Sequence, residues 1–127
     1  MSKILIVDDD KDILHVMQLL LGSRGYEVFV TLRGEETFEL VDTIQPNLIF
    51  IDIHLSGLDG RDISKQLKST EETKHIPIIL FSANVISVTL EDSLADDFIP
   101  KPFDIHELLS KVIKLTGGLN ATETKIA

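Results

Sequence analysis

The sequence predicts an α/β protein with a doubly wound parallel sheet, a (βα)5 arrangement of five strands with helices on both faces. Two observations support this class. Short runs of apolar residues, typical of strands buried on both faces, recur along the chain and are separated by segments with helical spacing of apolar residues. The connections between these segments are short, and right-handed crossovers between parallel strands place helices on both faces of a sheet.

The first two strands are predicted at residues 4–7 and 26–30. The helix between them is capped by Asp9 or Asp10, because a carboxylate before the first turn accepts hydrogen bonds from free N–H groups. Its inward positions are Ile13, Val16 or Met17, and Leu20, and it ends at Gly22 and Gly25.

The second helix is predicted over residues 34–44 and the third strand over residues 48–52. Pro46 separates the two, because proline excludes the preceding residue from the helical region. The inward residues of this helix are Phe38, Val41 and Ile44.

A turn at residues 56–60 precedes a third helix through Ile63 and Leu67, and the fourth strand is predicted at residues 78–82. The segment 84–96 is rich in β-branched residues, which are weak helix formers. The four-residue spacing of Leu90 and Leu94 still permits a short helix there.

The fifth strand is predicted at residues 97–100, followed by a helix that Asp104 caps and Gly117 and Gly118 end. The inward positions of this helix are Ile105, Leu108, Val112 and Leu115. We expect residues 1–118 to form one domain and residues 119–127 to form a short polar tail, with no effector domain.

Composition excludes several classes of function. The formal net charge is −9, which argues against direct binding to nucleic acid, because a phosphate backbone demands a basic surface. The chain has no cysteine, and no stretch approaches the roughly 18 apolar residues of a membrane span. These features predict a cytoplasmic protein without disulfides, thiolate metal sites or membrane contact.

Three carboxylates follow the first and third predicted strands. Asp8 and Asp9 come after the first strand, and Asp52 ends the third. The carboxyl ends of parallel strands lie on one edge, where ligands bind, so we expect these side chains to meet there. Crowded carboxylates repel one another unless a cation neutralises them, and Mg²⁺ prefers such hard oxygen ligands. The sequence therefore predicts a Mg²⁺ site.

The other strand ends carry groups suited to phosphoryl chemistry. Ser82 offers a hydroxyl and Lys101 an ammonium group that could contact the same phosphoryl group. A carboxylate can itself accept a phosphoryl group, and Asp52 is the best nucleophile because it stands alone at its strand end. We assign Asp10 to the N-terminal negative charge that favours the dipole of the following helix.

Simpler interpretations exist for each residue taken alone. A strand-end aspartate is commonly a helix cap, and a single lysine is commonly a solvated surface group. The agreement of four independent strand ends favours the functional interpretation. His54, two residues after Asp52, is either a group that tunes water access at the site or a solvated loop histidine.

Four segments of the chain resemble the receiver domain of two-component response regulators. They are ILIVDD at residues 4–9, IDIHLSGLDG at 51–60, ILFSA at 79–83 and FIPKPF at 98–103. The resemblance covers residues 3 to about 115 and implies the flavodoxin-like version of the predicted fold.

The resemblance implies that Asp52 accepts a phosphoryl group from a histidine kinase or a histidine phosphotransfer protein. Asp8, Asp9, Asp52 and the main-chain carbonyl of His54 would bind Mg²⁺, and Lys101 would contact the phosphoryl group. The switch residues would be Ser82 and Phe98: movement of the serine hydroxyl vacates space for the aromatic ring, which remodels the surface of the last two helices and the fifth strand. The Lys101–Pro102 bond is commonly cis in this family.

Three features depart from the family pattern. Ser56 stands where the family usually has proline, and the interval from Ser82 to Lys101 is about one helical turn shorter than is common. His54 and Asn84 occupy the positions that tune phosphoryl lifetime in the family.

The resemblance implies a stand-alone receiver that relays phosphate or docks on an unknown downstream protein, and not an enzyme acting on other substrates. Such a receiver would be a monomer or a homodimer that forms on phosphorylation. Two alternatives are a pseudo-receiver that is never phosphorylated and a Mg²⁺-dependent phosphohydrolase. The hydrolase is disfavoured because that family has a second aspartate where this chain has His54.

Overall fold

A five-stranded parallel sheet forms the central layer of the protein in a computed structural model, which describes residues 2–83 and 90–117. The strands are β1 (Lys3–Val7), β2 (Glu27–Thr31), β3 (Leu48–Asp52), β4 (Ile78–Ser82) and β5 (Asp97–Pro100). Their spatial order is β2-β1-β3-β4-β5, and every neighbouring pair is parallel. The predicted fold class is confirmed, with β2 shifted one residue from its predicted position. Asn84, Gly118 and the predicted tail 119–127 lie outside the described residues.

Helices cover both faces of the sheet, because successive strand residues alternate between two cores. On one face Ile4 and Ile6 pack in a cluster with residues of the first and last helices, and on the other Leu5 and Val7 pack with residues of the second and third. The helices are α1 (Lys11–Gly22), α2 (Thr37–Ile44), α3 (Gly60–Lys68), α4 (Leu90–Ser93) and α5 (Ile105–Thr116). None of the helices within residues 2–83 and 90–117 is long and apolar enough to cross a membrane.

The predicted N-terminal caps of α1 and α5 are confirmed. The Asp10 carboxylate accepts hydrogen bonds from the N–H groups of Asp12 and Ile13, and the Asp104 carboxylate accepts one from Glu107. Each aspartate satisfies donors that a helix start leaves unpaired. Asp10, and not Asp9, is therefore the cap of α1.

Ile105 was predicted to face inward, and this prediction is wrong: the residue is 49% exposed. A helical side chain covers the turn that precedes its own α-carbon, and Ile105 begins α5, so it has no such turn to cover. Leu108 and Val112, further along the same helix, are buried as predicted. In α1 the buried residue of the predicted Val16/Met17 pair is Met17, whereas Val16 is 48% exposed.

Two local features were not predicted. Residues Gly34–Glu36 form a 3-10 turn ahead of α2, so the predicted helix is regular only from Thr37. A small antiparallel hairpin pairs His54–Leu55 with Leu58–Asp59 directly after β3. Gly57 at its tip has a φ of 74°, a conformation that glycine adopts without strain.

Candidate functional site at the carboxyl end of the sheet

Three aspartates meet at the carboxyl edge of neighbouring strands. Val7 of β1 lies opposite Ile51 of β3, so Asp8 and Asp52, the next residue on each strand, are adjacent. Asp8 is fully buried and Asp52 is 5% exposed, whereas Asp9 is exposed. Each of the three offers one oxygen, and these oxygens all lie within 4.8 Å of one another. The topology thus produces the cluster that the strand ends predict.

Lys101 brings a positive charge into this cluster. Its Nζ atom lies 2.7 Å from Oδ2 of Asp8 and 3.1 Å from Oδ2 of Asp52. It also lies 4.8 Å from the centre of the Phe81 ring, a cation–π arrangement. The Lys101 main-chain N–H donates to the Ser82 carbonyl at 2.9 Å, which ties this segment to the end of β4. The following Lys101–Pro102 bond is cis.

Other hydrogen bonds fix the aspartate carboxylates. The main-chain N–H of Asp10 donates to Oδ1 of Asp8 at 2.9 Å, and the main-chain N–H of His54 donates to Oδ1 of Asp52 at 3.1 Å. The local chain thus holds one oxygen of each buried carboxylate, while the other faces Lys101.

Ser56 contacts the exposed member of the cluster. Its hydroxyl donates to Oδ2 of Asp9 at 3.1 Å, although the two residues are 47 positions apart in sequence. In the sequence, Ser56 is notable only for standing where the family usually has proline. No sequence signal indicates this contact, because it depends on the hairpin that follows β3.

The electrostatics of the site favour added positive charge. Burial raises the pKa of Asp8 to about 6, against the opposing effects of hydrogen bonds from Lys101 and Asp10. Burial acts to lower the pKa of Lys101, but its contacts with Asp8 and Asp52 outweigh burial and raise it. Three carboxylates against one ammonium group leave an excess of two negative charges when all are ionised. Hard oxygen ligands with this excess charge fit a divalent ion such as Mg²⁺.

The remaining predicted site residues lie at different depths. Ser82 ends β4 and is fully buried, and Phe98 of β5 is half-buried against the core on the α2 and α3 face. The side chain of His54 is exposed. Asn84 lies outside the described residues, so its predicted position at the site has no counterpart here. The other three histidines, His15, His75 and His106, are exposed and lie outside the acidic cluster.

Gly60 is a site residue that the sequence interpretation missed. A Cβ atom at this position would overlap the main-chain carbonyl group of Asp52 and crowd the side chain of Ile51. The Gly60 N–H donates to the Ile53 carbonyl at 2.8 Å, which holds the start of α3 against the end of β3. The pair Asp59–Gly60 was interpreted as a turn and helix start. That interpretation is confirmed, since Asp59 caps α3. It gave no indication, however, that Gly60 also lies against the Asp52 carbonyl group.

Comparison with known proteins gives the class of protein, a signalling module and not a classical enzyme. The family model of the response regulator receiver domain matches residues 4–113, and this chain belongs to that family.

Individual relatives and solved structures agree with this family assignment. The chain is 36% identical over 115 residues to the DNA-binding dual master transcriptional regulator RpaA of Synechocystis sp., an alignment that covers 88% of this chain and 48% of the relative. It matches a candidate response regulator of Chloroflexus aurantiacus J-10-fl with a TM-score of 0.86 and 31% identity, over 91% of this chain and 98% of that one. It also matches the receiver domain of a signal transduction histidine kinase from Syntrophus aciditrophicus, with a TM-score of 0.84 and 29% identity, over 94% and 93% of the two chains. The chain spans about half the length of the curated relatives it matches.

Proposed function

We propose that Asp52 accepts a phosphoryl group from a phosphohistidine of a histidine kinase or a histidine phosphotransfer protein. The observation that carries this proposal is the position of the Asp52 carboxylate. It lies at the end of a central strand with one oxygen held by the His54 N–H and the other 3.1 Å from the Lys101 ammonium group. Asp8 is fully buried, so Asp52 and its neighbouring loop offer the better approach for a donor.

In the proposed transfer, a carboxylate oxygen of Asp52 attacks the phosphorus atom. The P–N bond to the donor imidazole breaks, its electron pair returns to the ring nitrogen, and an acyl phosphate forms. Asp8, Asp9, Asp52 and the main-chain carbonyl of His54 would hold Mg²⁺, which supplies neutralising charge to the phosphoryl oxygens. The same residues support loss of the phosphoryl group to water, so the domain would catalyse only its own phosphorylation and dephosphorylation.

Lys101 links this chemistry to the rest of the domain. Its ammonium group is close to two carboxylates and can turn from Asp8 to a phosphoryl oxygen on Asp52 with a small movement. The main-chain N–H of Lys101 donates a hydrogen bond to the Ser82 carbonyl, so a movement of Lys101 on phosphorylation would also affect Ser82. We propose that the Ser82 hydroxyl then contacts the phosphoryl group and that Phe98 turns further inward. This population shift would change the surface around β5 and α5.

The output of this switch is proposed to be a protein contact. The net charge of −9 disfavours nucleic acid as a direct ligand of the domain, although the relative from Synechocystis is named as a DNA-binding regulator. DNA binding by that relative is a property of a protein about twice as long as the aligned region. We propose a monomeric domain, or one that pairs on phosphorylation, with a kinase or phosphotransfer protein as donor.

Mass spectrometry after incubation with acetyl phosphate and Mg²⁺ tests the proposal. We expect a single phosphoryl adduct on the wild-type chain and none on Asp52→Asn, and a Mg²⁺-dependent change in the NMR spectrum with beryllofluoride. No adduct and no spectral change would instead support the pseudo-receiver. Continuous turnover of small phosphate esters would support the hydrolase. Phosphotransfer profiling against histidine kinases, with Asp52→Asn as control, would identify the donor.

A further inference from the structure

A continuous groove separates α2 from α3. It consists of two adjoining cavities of about 290 and 570 Å³, which share Phe38 and Gln66 in their walls. We call it the α2–α3 groove. Phe38 and Leu58 supply most of its accessible apolar surface, and the nearly buried core residues Ile63 and Leu67 also line it. Phe38 is half-buried and Leu58 is 39% exposed, so the groove presents apolar surface that no described part of the chain covers.

The rim of the α2–α3 groove is acidic. No lysine or arginine lines either cavity, whereas six acids do: Glu35, Glu39, Asp42, Asp59, Asp62 and Glu72. Arg33 pairs with Glu35 and Arg61 pairs with Asp59. Among residues 2–83 and 90–117, the other four carboxylates make no ion pair. They are exposed and are available to a ligand.

We propose that the α2–α3 groove binds a basic amphipathic helix of a partner protein. The apolar surface suits leucine-type side chains at positions i and i+3 or i+4, and the acidic rim suits lysine or arginine on both sides of that stripe. The groove lies along α2 and α3, which are 8 and 9 residues long, enough to contact about two to three turns of a docked helix. A second copy of this chain is a poor occupant, since its own charge is −9.

The proposed docking site adjoins the loop that follows Asp52. Leu58 lines the groove and pairs with Leu55 in the small hairpin, and the main-chain N–H of His54 in the same hairpin donates to Asp52. A helix seated in the groove would therefore touch the segment that positions this carboxylate. The docking proposal itself does not depend on phosphorylation and is tested on the unmodified chain.

The test uses a fluorescein-labelled peptide of leucine and lysine with an amphipathic helical pattern. A scrambled peptide of the same composition serves as the first control, and binding is followed by fluorescence anisotropy at about 0.15 M salt, where distant charges are screened. We expect the amphipathic peptide to bind several-fold more tightly than the scrambled one. Equal binding of both peptides, or no binding of either, would overturn the proposal.

Matched variants locate the binding. Asp42→Asn combined with Asp62→Asn should weaken binding about 5-fold or more, because both acids line the groove. Glu27→Gln combined with Glu107→Gln removes the same charge from exposed positions outside the groove and should change binding less than about 2-fold. Equal weakening by both pairs would show charge attraction alone and contradict the proposal.

An apolar pair of variants completes the test. Leu58→Ser removes an exposed side chain from the groove, and Leu19→Ser removes one from α1 that is 62% exposed. Only the first should weaken binding, with thermal melting used to show that both variants are folded. If sedimentation shows that the chain self-associates and that the Asp42/Asp62 variant is monomeric, the groove binds a second copy and the proposal is wrong.

Discussion

Gly60 packs against the main-chain carbonyl group of Asp52 so closely that no side chain fits between them. The first residue of α3 thus packs directly on Asp52, the last residue of β3. The hydrogen bond from the Gly60 N–H to the Ile53 carbonyl fixes the position of the helix start relative to the strand. The Asp52 main chain can hold this position only because residue 60 is a glycine and has no Cβ atom.

Gly60→Ala should therefore damage both stability and the site. The added Cβ meets main-chain atoms, which cannot rotate away, so α3 must shift. We expect a loss of about 2 kcal/mol in the free energy of unfolding, as for other overpacked sites, together with slower phosphorylation of Asp52. Urea unfolding and the acetyl phosphate assay measure the two effects.

Gly22→Ala is the matched control, because a Cβ atom at Gly22 meets nothing within 4 Å. It should leave the free energy of unfolding within about 0.5 kcal/mol of the wild type. A similar loss in both variants would show that the contact with Asp52 is not the cause.

Lys101→Met should destabilise the Mg²⁺-free protein at neutral pH. The change leaves the buried carboxylates of Asp8 and Asp52 without their ammonium partner, which we expect to cost about 1 to 3 kcal/mol. Lowering the pH to about 5 should reduce the loss, because Asp8 can then take up a proton. Lys111→Met is the control: that lysine pairs with Asp97, both side chains are about a quarter exposed, and its removal should cost less.

The raised pKa of Asp8 predicts an unusual pH dependence. The unfolded carboxyl group loses its proton near pH 3.8, while the folded one keeps it to about pH 6. The contribution of Asp8 to stability therefore falls as the pH rises through this interval and is fully unfavourable above about 6, by roughly 3 kcal/mol. Without Mg²⁺, Asp8→Asn should match the wild type near pH 4 and exceed it in stability at pH 7.

Mg²⁺ should remove this cost in the wild type at pH 7 but stabilise Asp8→Asn much less, because the variant lacks one of the charged groups proposed as ligands. Chemical unfolding with and without the ion gives both comparisons. A wild type that is more stable than Asp8→Asn at pH 7 without metal would contradict the expected sign.

Ser56→Ala should weaken Mg²⁺ binding without unfolding the chain. The lost hydroxyl orients Asp9, an exposed and otherwise adjustable carboxylate, so we expect a decrease in affinity of about 2- to 10-fold. An NMR titration with Mg²⁺ measures it. Thr43→Ala removes a hydroxyl from α2, where it donates to the Glu39 carbonyl, and should not change the affinity.

Leu94→Gly should stabilise the chain. Leu94 follows α4 with a φ of 61°, which is unfavourable for a leucine, and its side chain is 46% exposed. Relief of this backbone strain should increase the free energy of unfolding by about 0.5 to 1 kcal/mol. Gln45→Gly, at a φ of 54°, should gain less, because the Gln45 side chain donates to the Val41 and Asp42 carbonyls. Thermal melting of both variants tests the ranking.

The strand ends were predictable because they follow from topology alone. A buried apolar run that ends in an aspartate places that side chain at the carboxyl edge of a parallel sheet, so Asp8 and Asp52 had to be near each other. The cap at Asp104 was predictable from local sequence, because a carboxylate just before a helical pattern accepts hydrogen bonds from the free N–H groups of the first turn.

Contacts that depend on how elements pack were not predictable. Periodicity identifies which side of α5 Ile105 occupies but not whether anything covers it. The bond from Ser56 to Asp9 needs the geometry of the hairpin, and the α2–α3 groove needs the spacing of two helices. Gly60 was overlooked for another reason: a glycine at a helix start already had a sufficient explanation.

The ion pair between Lys101 and Asp8 joins residues 93 positions apart. Asp8 and Asp9 follow β1 and Asp52 ends β3, whereas the compensating ammonium group follows β5, the last strand of the sheet. A chain whose sheet lacks β5 therefore has crowded, uncompensated carboxylates at its edge, and closing so long a loop comes late for entropic reasons. The Lys101 ammonium group reaches the cluster only after the final strand has docked, so partly folded chains would be poor participants in any reaction at this edge.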